Sequence, residues 1–113
     1  MGAKLDDKTL RVVGDPALPV AAIATSFGNT QQIPGLALLN SPVDVLVCGY
    51  AREWEVVEYT QDMISAGVKK AVVLLGENAS VQAGMKFSAD WIKTVVTEVP
   101  VTFISLPEPY WIL

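Results

Sequence analysis

The stretch Ala71 to Gly84, AVVLLGENASVQAG, decides the fold. Ala71 to Leu75 is a continuous apolar run, closed by Gly76 and followed by a polar segment that opens a helix near Ser80. An unbroken apolar run between turn signals suits a strand covered on both faces, as in parallel sheets. Such sheets place their working residues where a strand ends and a helix begins, because backbone N–H groups and the helix dipole converge there. Gly76, Glu77, Asn78 and Ser80 are therefore the first candidate ligand-binding turn, suited to an anion, with Ser80 as the expected N-cap.

Outward from this turn, the pattern predicts strands at Thr9–Val13, Val20–Thr25, Val43–Cys48, Lys69–Leu75 and Val101–Ser105. A short helix is expected after Pro34. Two long helices are expected over Arg52–Ala66, capped by Gly67, and from Ser80 to about Thr97, ended by Pro100. The polar run Ser26–Thr30 contains Gly28 but lacks the spacing of either glycine-rich phosphate motif, so it is read as a connecting loop. The order predicts an α/β domain with a mostly parallel five-stranded sheet, flanked by the two long helices and joined by right-handed crossovers. Residues 1–113 form one domain, with Met1 to Lys8 linker-like.

Both long helices carry more apolar surface than one sheet can cover. In the first, Trp54, Val57 and Ile64 form one stripe and Val56 and Met63 an adjacent one. In the second, Met85, Ala89, Ile92 and Val96 oppose Phe87, Trp91 and Val95. The tail Leu106–Leu113, LPEPYWIL, ends in four bulky apolar residues and is expected to dock on its own domain or a neighbour.

Composition narrows function. The 113 residues hold 8 basic and 12 acidic side chains, a net charge of −4, and no histidine. That balance offers no footprint for nucleic acid or anionic lipid. The missing imidazole excludes nucleophile triads that need one and removes the commonest transition-metal ligand. The single cysteine, Cys48, lies within an apolar strand, where a thiol behaves as a small hydrophobe. No apolar run approaches the ~20 residues of a spanning helix, and Met1 to Val13 is unlike a signal peptide. A cytoplasmic, soluble protein is the expectation. An apolar fraction of 51% is high for a small monomer and calls for a covering surface, most economically another subunit.

Leu10–Pro16 (LRVVGDP), Val43–Glu55 (VDVLVCGYAREWE), Gly76–Met85 (GENASVQAGM) and the closing Pro-x-Pro-Tyr-Trp resemble, in order, the C-terminal half of the Nif-three-like dinuclear metal-centre family, also called GTP cyclohydrolase I type 2-like. The resemblance implies two similar α/β halves assembled into dimers and a toroidal hexamer, with metals in the cleft between halves. It also implies a Gly-His-x-x-x-Glu pair on the strand-to-helix turn, two ligands on one face of the first helical turn. Here Glu77 stands at the histidine position, Val81 at the glutamate position, and Tyr50 where a glutamate commonly follows the Cys-Gly pair. Ser80, Gly84, Met85 and Trp54 match. A valine cannot ligate, and a lone carboxylate falls short of the three or four ligands a transition metal wants. No metal or other cofactor is expected, and no catalysis.

Glu53, Glu55 and Glu58 can be read as a general acid–base cluster, but acids at a helix N-terminus more simply complement the dipole. Trp54, Trp91 and Trp111 can stack a base or sugar, though Trp54 and Trp91, at helical spacing among aliphatics, better suit a core or interface. Three functions remain: a non-catalytic, self-assembling domain on a decayed or engineered metal-centre scaffold; half of a metal-dependent hydrolase needing a partner chain; and an anion-binding regulatory module. The first is preferred, as a homo-oligomer (dimer, trimer or hexamer) with interface residues Val56, Met63, Met85, Phe87, Trp91, Tyr110 and Trp111.

Overall fold

The computed structural model describes residues 10–107 and 109–111. The linker-like Met1 to Lys8 and the last two residues of the apolar tail lie outside them. Four strands, β1 (Arg11–Val13), β2 (Ile23–Thr30), β3 (Val45–Ala51) and β4 (Ala71–Leu74), form one mixed sheet in the order β1-β4-β3-β2. β2, β3 and β4 run parallel, and β1 lies antiparallel to β4. The connections are α1 (Gln32–Leu39) and, between β3 and β4, a π-helical turn (Glu53–Val57) continuing into α2 (Glu58–Ser65). After β4 comes α3 (Glu77–Ile92).

The α/β class stands, but the expected five-stranded, mostly parallel sheet with two long helices is corrected to four mixed strands with three helices. Val101–Ser105 is not a strand. In a sequentially ordered parallel sheet its place would be beside β4, and β1 occupies that edge, with Arg11 opposite Leu74 and Val13 opposite Val72. The expected loop Ser26–Thr30 is instead the second half of β2, admitted by a register irregularity between Ser26 and Asn29 where Gly28 turns to a positive φ of 72°. A glycine takes that backbone at little steric cost.

Register sorts the side chains into two faces. Ala24, Leu46, Val72 and Val13 align on one, and beside them Ser26, Cys48 and Leu74. This face meets Leu39 of α1 and Val56 of the π-helical turn to form the buried core. Val57, Tyr59 and Met63 pack against it. Val56 is thus a core residue, which corrects its assignment to an interface, and Met63 packs half-buried against that core. The other stripe divides: Val57 packs against the core, while Trp54 and Ile64 face water. Thr60 completes the covering face. It is fully buried between Val56 and Met63 on the covering face, satisfied by donating its hydroxyl to the Val56 carbonyl at 2.6 Å. A hydrophobicity count scores such a residue as polar.

The opposite face carries Ile23, Val45 and Ala71 in one row and Thr25, Val47, Val73 and Val12 in the next. No helix lies over its outer positions: Val12 and Ile23 are each 57% exposed and Phe27, next in the alternation, 58%. α3 has no buried residue at all. Its base is held at the carboxyl end of the sheet. The radius of gyration is 16.6 Å and the longest dimension 57 Å. A compact chain of this length would have a radius near 13 Å.

Candidate functional site

The turn after β4 joins three strand ends to one helix. The Gly76 N–H donates to the Gly49 carbonyl at 2.9 Å, and the Leu75 N–H donates to the Cys48 carbonyl, also at 2.9 Å. These bonds extend the β3–β4 ladder past the last residue of β4. Gly76 then takes φ 93°, which lets the chain turn directly into α3, whose first residue is Glu77. The helix therefore starts earlier than the sequence suggested, and Ser80 is not its N-cap. Its hydroxyl accepts from the Gly28 N–H at 2.9 Å and donates to the Glu77 carbonyl at 2.7 Å, clipping the base of α3 to the irregular part of β2.

This clip requires close backbone approach. A Cβ on Gly49 would stand 2.5 Å from the Gly28 carbonyl oxygen and 2.9 Å from its nitrogen, and against the Ser80 hydroxyl. The predicted turn residues Gly76, Glu77, Asn78 and Ser80 are brought together, and Ser80 is committed within the fold. Val81 sits beside Gly28 and supplies only aliphatic surface. Glu77 and Tyr50 are exposed. Among the described residues no three His, Cys, Asp or Glu side chains are grouped as a metal would need.

Two of the three acids in the cluster pair with arginines. Glu53 pairs with Arg11 at 3.3 Å and Glu55 with Arg52 at 3.1 Å. The Arg52 guanidinium also lies 5.9 Å from the centre of the Trp54 ring, so Trp54 serves neither core nor a free stacking platform. Between these side chains and the ends of β2 and α1 is a cavity of about 350 Å³, lined by Asn29, Gln31, Gln32, Ile33, Arg52 and Glu55. The sequence reading missed it, because its residues come from two separated segments with no shared motif.

At the other end of the sheet, Asp44 organises the entry to β2 and β3. It accepts N–H bonds from Ala21 at 2.7 Å and Ala22 at 2.9 Å. Those two bonds, assisted by the charge of Lys70, hold its carboxyl below the ordinary value of 3.8, against a smaller opposing effect of burial. Lys70 spans the same corner, donating to the carbonyls of Ser41 and Val43. Burial pushes the Cys48 thiol up, outweighing a hydrogen bond from Thr30. That agrees with an inert strand thiol. On α3, Lys86 and Lys93 both bond Asp90 and lower its pKa.

Of the interface candidates, Met85, Phe87, Trp91, Tyr110 and Trp111 are exposed; Tyr110 and Trp111 do not dock on their own domain. No described helix is long and apolar enough to cross a membrane. No protein family, no curated protein and no solved structure matches the chain.

Proposed function

We propose that the chain is a non-catalytic, self-assembling α/β domain on a scaffold resembling a metal-centre half-domain, with its ligand positions taken by Glu77, Val81 and Tyr50. One observation carries the reading. α3 is a sixteen-residue helix without a single buried residue, yet it displays Met85, Phe87 and Trp91 to solvent. A helix gains most of its stability by burying an apolar face, and large apolar side chains left exposed on two sides of one helix are the kind of surface that association covers. The strand-to-helix turn supports the non-catalytic half of the reading, since its one hydroxyl clips two backbone segments and Val81 has no donor atom to offer.

Sedimentation of the purified chain, with metal analysis of the same sample, tests both halves. The expected result is a discrete oligomer holding no stoichiometric zinc, manganese or iron. A monodisperse monomer at tens of micromolar overturns self-assembly. Two tightly held ions per chain overturn the non-catalytic reading in favour of the hydrolase half.

A further inference from the structure

We infer that the assembly is a reciprocal dimer in which α3 of each copy lies along the open β2 margin of the other's sheet. This rests on the self-assembly reading and says which surfaces meet.

Two apolar surfaces on the chain lack a cover, and they are complementary in kind. On α3 and its last turn, Phe87, Trp91 and Val95 fall at i, i+4 and i+8, a single stripe 74%, 60% and 60% exposed. Gly84, Ser88 and Thr94 flank the stripe and no charge enters it. The charged residues Lys86, Asp90 and Lys93 lie on another side, bonded to one another. On the sheet, Ile23, Thr25 and Phe27 form the open β2 margin of a face that is likewise free of charge; further in, Val45 and Ala71 are buried and Val47 and Val73 half-buried. Depletion of charge at the centre of the patch is what distinguishes interface cores from ordinary surface. Helix on sheet is also the covering that a parallel sheet requires on both faces.

Dimensions agree. The stripe from Phe87 to Val95 spans about 12 Å at the helical rise, and Ile23 to Phe27 spans about 13 Å along an extended strand. Phe27, Phe87 and Trp91 leave about 400 Å² of ring surface in water per copy, at about 200 Å² for a whole aromatic side chain. Each copy brings both a stripe and a face. With Ile23, Thr25 and Val95, the reciprocal arrangement comes near the ~600 Å² per partner at the low end of stable interfaces. The Ser80–Gly28 clip fixes the base of α3 at the carboxyl end of its own sheet.

Disulfide trapping tests this in a Cys48→Ala background. Ile23→Cys and Trp91→Cys chains, mixed and oxidised with diamide, are expected to give chiefly the mixed I23C–W91C dimer. A predominance of W91C–W91C dimers overturns the exchange while leaving self-assembly intact, because helices would then pair with helices. An intrachain disulfide in the doubly substituted chain, at dilutions where dimers dissociate, also overturns it, since the helix would reach its own sheet. Phe87→Glu and Ile23→Glu, on the two surfaces, are each expected to weaken the dimer at least about thirtyfold, the loss of one interface hot spot. An oligomer indifferent to Ile23→Glu overturns the proposal. A chain that is monomeric before any substitution removes the self-assembly reading itself.

Discussion

Gly49 shows how much a single missing Cβ can decide. It sits where β2, β3 and the base of α3 come closest, and any side chain there meets the Gly28 backbone as well as the Ser80 hydroxyl. Backbone cannot yield as a side-chain tip can, so Gly49→Ala is expected to cost about 1–3 kcal/mol, the usual range for overpacking. Urea titration measures it. An alanine variant as stable as the parent would mean that α3 is not clipped to β2. The glycine and the serine were both visible in the sequence, but their partnership was not. Ser80 looked like an N-cap because small hydroxyl residues favour that position, whereas its hydrogen bond goes to Gly28, 52 residues away along the chain.

Among the elements, local signals carried the parts that local chemistry governs. Gly67 ends α2 in the expected way. With φ 86° it lets the Val68 N–H reach the Met63 carbonyl and its own N–H reach the Ile64 carbonyl, both at 2.9 Å. β3 and β4 were legible because their apolar runs are buried on the core face and close to buried on the other. What failed depended on a partner far along the chain: the fifth strand, lost because β1 holds the β4 edge. The joint of β2 and β3 at Asp44 was likewise unforeseen, and it carries a pH signature. Its carboxyl has a depressed pKa in the folded chain, so the stabilisation is present above the ordinary value of 3.8 and is lost as pH falls through the folded value, below 3.8. Asp44→Asn is therefore expected to melt earlier than the parent at pH 7 and to converge with it below pH 3.8. A difference unchanged across that range would show that the two N–H bonds do not depend on the charge.

For the whole molecule, the excess of apolar residues noted in the composition has a location: α3, the tail and one side of the sheet. The candidate site was half legible at this level. The turn stands where the parallel strands end, as expected, while the cavity beside Arg52 had no sequence signal to announce it. If association covers α3, melting couples to concentration by mass action. A hundredfold dilution is then expected to lower the melting temperature, and added salt to leave it nearly unchanged, because the meeting surfaces hold no charges for salt to screen. A melting temperature independent of concentration would argue that the exposed helix is stable on its own.

The sheet's two margins add one more consequence. β1 is three residues long and the outer margin of β2 is broken by its irregularity at Gly28, so neither offers a straight template on which another chain could extend the ladder. Adhesion is then confined to faces, and in the proposed reciprocal pairing each copy's stripe and sheet margin are both taken up by the same neighbour. Such a pairing closes on itself: the chain can be sticky without being fibrous, and its growth stops at a finite particle.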